Sequence, residues 1–255
     1  MSKRLKKSED EVKQNQKKNI IRILIFIVFA IVFIFSIVNL SRWAIYNKKS
    51  ANLIKDIINE NFEEAKEENK NPVNFEELKN INKDTIAWIR VKDTNINYPI
   101  VQTDNNEYYL QKDINQNYST CGWIFMNYKN NSNFSDRNTV LYGHNIKSGL
   151  MFSDLQKIYK NELGTEVVIE IYTETEKLEY KVYSSYLTEP EEYSTKVLLD
   201  EDTEKEYLQE ILKRSSIMYN IVPDKSDKLI TLSTCDNSGK NRILIHGFYI
   251  GGEKY

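Results

Sequence analysis

Residues 228–250, KLITLSTCDNSGKNRILIHGFYI, hold two apolar runs of strand length separated by the polar hexapeptide DNSGKN. Runs rich in Leu, Ile and Thr, bounded by Asn, Ser and Gly, read as strands joined by a loop. Cys235 closes the first run and Arg242 opens the second. A strand end that opens into a loop is where a rigid sheet can present a reactive group. Taken alone, however, a cysteine here is better explained as a half-buried structural thiol.

Working outward, the same pattern recurs from Thr85 onward. TIAWIRV, NINYPIV, CGWIFM, NTVLYG, EVVIEIY and LEYKVYSSYL precede KLITLSTC and RILIHGFYI, which makes eight strand candidates. TETEK at 173–177 is a short polar connection that predicts an antiparallel hairpin. So many short strands, in a chain with 17 Tyr and 10 Phe, argue for a mainly β domain built as a closed or nearly closed sheet. One helix interrupts the pattern: Thr203 and Glu206 suit a capping box, and Tyr207, Leu208, Ile211 and Leu212 form one apolar face in a helix over 203–219. Upstream, Leu53, Ile54, Ile57, Ile58, Phe62 and Ala65 predict an amphipathic helix within 43–69, stopped by NKNP at 69–72. Asn74 and Glu77 suit the cap of a short second helix.

The N-terminus has a different character. Residues 23–40, ILIFIVFAIVFIFSIVNL, carry no charge, and extending the run back to Ile20 gives enough helix to cross roughly 30 Å of hydrocarbon. Lys3, Arg4, Lys6, Lys7, Lys13, Lys17, Lys18 and Arg22 precede the run, whereas Arg42, Lys48 and Lys49 follow it. The positive-inside rule then places a basic tail (1–19) in the cytoplasm, one transmembrane signal-anchor at 20–40, and the rest outside the cell. SIVNLSRWAIY makes a poor signal-peptidase site, which disfavours cleavage. The expected division continues with an extracellular helical linker over 41–73 and a folded domain over 74–255. A net charge of −2, from 35 basic and 37 acidic residues, points to no nucleic-acid partner.

A thiol nucleophile needs exposure, a proton-handling partner and donors for an oxyanion. Two histidines are present: His144 in VLYGHNIKSG, past a strand end, and His246 inside RILIHGFYI. Local reasoning leaves both open as partners. A loop histidine is freer to meet a loop cysteine, and a mid-strand one is more often packed. Arg242, a permanently charged donor of several hydrogen bonds, starts its strand one loop after Cys235 and suits an oxyanion. A Cys121–Cys235 disulfide is the competing structural use of the two thiols in an oxidising compartment. An apolar setting for Cys121 favours instead a buried, inert thiol.

Together these segments resemble the sortase family. TLSTC, a loop, and Arg242 before an apolar strand are similar to its C-terminal signature. LYGHN followed by LMFSDLQKI is similar to its histidine segment, and YPIVQTDNNEYYL with GWIFMN to its earlier strands. The matching order covers about residues 74–250. The N-terminal helices and the helix before the Cys strand resemble class B, though the step from Cys235 to Arg242 is short for that class. The resemblance implies an eight-stranded sortase β-barrel and a cysteine transpeptidase. Cys235 would attack the Thr carbonyl of a C-terminal sorting signal (NPxTx-like) on a secreted protein. His144 would act as general acid and base, and Arg242 would stabilise the oxyanion. Ser233, Thr234 and Tyr142 would fall to the substrate groove, and His246 to structure. The acceptor would be an amine of a peptidoglycan precursor at the membrane, with no cofactor and no metal. An anchored peptidase that only hydrolyses, and a non-catalytic binding module, are the competing functional classes.

Overall fold

The computed structural model describes residues 2–63, 70–190, 195–197, 201–219, 221–224 and 227–255. The chain divides into two compact units, residues 1–48 and 49–255. The first belongs to helix α1 (Ser2–Asn61). Within it the apolar side chains of Ile20 to Leu40 are solvent-exposed all round, as a lipid-facing surface would be. Helix 18–61 contains a run long and apolar enough to cross a membrane.

In the second unit, among the described residues, eight strands close a barrel in the order β1-β2-β3-β4-β7-β8-β6-β5. They are β1 (Thr85–Val91), β2 (Asn97–Val101), β3 (Phe125–Met126), β4 (Asn138–Tyr142), β5 (Val168–Tyr172), β6 (Glu176–Thr188), β7 (Leu229–Cys235) and β8 (Arg242–Lys254). All eight fall on the expected runs. Pairing is antiparallel except at β2–β3 and β4–β7. The predicted hairpin joins β5 to β6, with the Thr173 N–H donating to the Glu176 carbonyl at 2.9 Å.

Period-two alternation along β7 and β8 separates two cores. Ile230, Leu232, Ile243 and Ile245 turn into the barrel with Ile89, Ile100 and Ile124. Leu229, Leu244 and Phe248 face outward against Tyr207, Leu208 and Ile211 of helix α4 (Glu201–Arg214). Burying two or three such side chains is worth several kcal/mol, enough to hold α4 on the wall.

Several boundaries differ from expectation. α1 ends at Asn61 rather than near 69; Asn61 folds its amide back onto the Ile57 carbonyl, and Phe62 bridges to Val73. Ala65, expected on the apolar stripe, lies outside the described residues. The cap of α2 (Phe75–Ile81) is as expected, with the Asn74 side chain accepting from the Glu77 N–H. α4 begins at Glu201, so Thr203 lies inside the helix; its hydroxyl accepts from Lys196 Nζ at 3.3 Å instead of capping. α4 also stops at Arg214, because residues 215–219 leave the helix to bond β6 through Ser216 N–H to the Ser185 carbonyl and Tyr219 OH to Ser185 Oγ. β3 is shorter than CGWIFM: Thr120–Cys121 form a turn, and Gly122 follows it at φ +57°.

Candidate active site

β4 and β7 run parallel, and their ladder pairs Asn138 with Leu229 through Tyr142 with Ser233. Gly143 extends it by one bond, its N–H donating to the Ser233 carbonyl at 3.2 Å. The same register carried two residues beyond Tyr142 sets His144 opposite Cys235. Side chains take over there: Thr234 Oγ1 donates to the Gly143 carbonyl at 2.7 Å, and Asn145 Nδ2 to the Cys235 carbonyl at 2.9 Å. Gly143 suits its place because a Cβ there would stand 2.8 Å from the Phe152 ring.

The loop after Cys235 is a tight hairpin that closes on the pair Cys235↔Arg242. Directly paired residues on adjacent strands have Cβ atoms about 5 Å apart on one face. The seven-residue step therefore puts Arg242 beside Cys235. Asp236 holds the turn: its carboxylate accepts from Ser238 Oγ (2.8 Å) and from the Asn241 N–H (3.2 Å), and these bonds keep its carboxyl below the usual range. The Asp236 N–H is bound to the Asn241 carbonyl at 3.0 Å and so is not open to a ligand. Cys235, His144 and Arg242 are all part-exposed. Cys121 and Cys235 are both free thiols, and Cys121 is buried.

His144 is oriented by backbone. Its Nε2 lies 2.8 Å from the Leu110 carbonyl oxygen, which can only accept, so Nε2 carries the proton and Nδ1 is left as the exchanging nitrogen. Leu110 ends a 3-10 turn (Tyr108–Leu110), and Gly122 lies against it. A Cβ on Gly122 would stand 2.6 Å from the Tyr109 oxygen, 2.8 Å from the Leu110 oxygen and 2.9 Å from His144 Cδ2. Reading CGWIFM as continuous strand concealed this role, although a glycine at the start of an apolar run was its signal. Asn145, directly after the histidine, was likewise not singled out.

His246 sits elsewhere. It is fully buried under α4, stacked on Tyr186 with ring centroids 5.4 Å apart. Asn138 Nδ2 donates to the Lys196 carbonyl, so its Oδ1 accepts from Thr231 Oγ1 at 2.9 Å. Thr231 must then accept from His246 Nδ1–H at 3.0 Å, which leaves Nε2 to accept from Tyr186 OH at 3.2 Å. Burial lowers its pKa to about 3, so the ring is neutral and spent on structure.

Of the expected groove residues, Tyr142 is part-exposed, accepts from Asn127 Nδ2 at 3.0 Å and packs on Phe125. Ser233 is buried on the Cys235 face of β7, and Thr234 is buried with its hydroxyl used on Gly143.

Comparison with known proteins identifies the family. The Sortase domain family matches residues 89–249. A sortase B of Listeria monocytogenes is 34% identical over 166 residues, 63% of this chain and 68% of that protein. A crystal structure of sortase B from B. anthracis in complex with AAEK1 superposes with a TM-score of 0.72 at 30% identity, covering 81% of this chain and 98% of that one. A sortase B crystal structure complexed with triglycine gives a TM-score of 0.64 at 29% identity, over 69% of this chain and 85% of that one. The chain belongs to the sortase family of cysteine transpeptidases, and its resemblance is to the sortase B type.

Proposed function

We propose that this protein cleaves a C-terminal sorting signal on secreted proteins and joins the new carboxyl end to an amine of a cell-wall precursor. The observation that carries the reading is the register that sets His144 opposite Cys235, with Arg242 paired to Cys235 across the hairpin. Cys235 gives its thiol proton to His144 Nδ1, and the thiolate attacks the Thr carbonyl carbon of an NPxTx-like signal. Arg242 donates to the oxyanion, in place of the occupied Asp236 N–H. Collapse of the tetrahedral adduct breaks the C–N bond, the leaving amine takes a proton from His144, and a thioester remains. An incoming amine gives a proton to His144, attacks the thioester and expels the thiolate. The thioester retains acylating power, so no nucleotide is consumed. The triglycine complex of a relative supports a glycine-type amine as acceptor.

Ser233 and Tyr142 would line the groove, while Thr234 would act through Gly143. The apolar helix would anchor the enzyme with its N-terminus in the cytoplasm and residues 74–255 outside as the catalytic domain, holding it on the same surface as its membrane-bound substrates. Incubating the full-length chain in detergent with an NPxTx peptide and triglycine tests the reading: a peptide–triglycine conjugate and a thioester trapped on Cys235 are expected. Cleavage at a rate and with products indifferent to the amine would identify a hydrolase instead, and cleavage retained by Cys235→Ala would overturn the mechanism.

A further inference from the structure

β4 ends at Tyr142, while β7 continues to Cys235. The Cys235 carbonyl thus has no β4 ladder N–H facing it, and the Asn145 side-chain amide occupies that place at 2.9 Å. The same amide nitrogen lies 3.4 Å from Asn237 Oδ1 in the β7–β8 hairpin. Asn237 in turn exchanges two hydrogen bonds with Gln156 of α3 (Leu155–Tyr159), at 2.7 and 3.0 Å. From the other side, Met151 bridges Asn145 and the Phe152 N–H donates to the His144 carbonyl at 2.9 Å. The histidine segment, the cysteine strand end and the hairpin therefore meet at one side chain.

We propose that Asn145 is a positioning residue for acyl transfer, setting the distance between the Cys235 thiol and the His144 ring by completing the β4–β7 ladder where its backbone ends. The inference rests on the reading of Cys235 and His144 as the reacting pair. An aliphatic side chain would leave the Cys235 carbonyl without its donor. An aspartate would aim an acceptor at an acceptor. Either change frees the histidine loop to move against the strand end, and displacement of about 1 Å in reacting groups lowers rates on the order of a hundredfold.

The test uses the full-length chain in detergent, with iodoacetamide as a probe that needs no substrate and an NPxTx peptide with triglycine as the reaction. In Asn145→Ala and Asn145→Asp, the pH profile of Cys235 alkylation is expected to move. Their kcat should fall tenfold or more, with KM for the peptide changed less than threefold and the melting temperature within a few degrees. Unchanged alkylation profile and kcat would overturn the proposal. So would a collapse of melting temperature in both variants with no change in the profile, which would mark Asn145 as a fold-stabilising residue only. If wild-type Cys235 were itself unreactive, the catalytic reading would fail instead, so the two failures are distinct.

Discussion

His144 and Cys235 each stand two residues beyond Tyr142 and Ser233, the last pair of the parallel β4–β7 ladder. Their juxtaposition is thus a property of the sheet. Parallel strands advance together, so a histidine two residues past one strand end meets a cysteine two residues past the matching position on its neighbour. Every feature that sharpens this alignment, from Gly122 to Arg242, should be detectable in the rate.

Gly122→Ala should slow acyl transfer. The new Cβ would meet two carbonyl oxygens and the His144 ring at under 3.0 Å, and φ +57° strains any side chain. The imidazole or the Leu110 carbonyl must shift. A fall in kcat on the order of ten- to a hundredfold is expected, with a loss of about 1–3 kcal/mol in stability. Steady-state kinetics and urea unfolding of the variant measure both.

Arg242→Ala should reduce kcat on the order of a hundred- to a thousandfold, as loss of an oxyanion donor does elsewhere. Arg242→Lys should recover part of this, because an ammonium keeps the charge but not the forked donor geometry. Equal activity of the Ala variant and the wild type would remove Arg242 from the site.

Stability should fall on mild acidification because of His246. Its pKa is about 3 when folded and near 6.5 when unfolded, so below 6.5 the unfolded chain binds the extra proton. The neutral ring's contribution is complete above pH 6.5 and is lost progressively down to about 3, at about 1.4 kcal/mol per pH unit. Glu170 acts in the same direction but lower: burial raises its carboxyl, yet Lys177, Lys92 and Tyr172 outweigh this and hold it below 4.5. Urea midpoints between pH 7 and 5 should therefore report His246, and their slope should vanish in His246→Gln.

Asn138→Ala should loosen α4 without touching the reacting groups. Its buried amide links Thr231, the Lys196 carbonyl and Tyr207 OH, and losing these hydrogen bonds should cost on the order of 1–3 kcal/mol in stability. Hydrogen exchange should show faster opening of residues 203–214 than of β7.

Much of this was legible in the chain itself. Cys235 closing one strand and Arg242 opening the next could be read from apolar alternation around DNSGKN, because strand periodicity and turn residues are local properties. The uncharged run at 23–40 was legible for the same reason. Helix ends were less so: Thr203 has the right spacing for a cap, but residues 215–219 are drawn onto β6, and α4 starts earlier than local pattern suggests. The choice between His144 and His246 was not a local property at all. One follows an apolar strand and the other lies inside one, and only the closed barrel, with β4 parallel to β7, brings one towards the Cys235 strand end and the other beneath α4. The Leu110 carbonyl, the space at Gly122 and the Asn145 amide belong to the same class. They bring together residues 12 to 90 positions apart, and such contacts exist only once the sheet has closed.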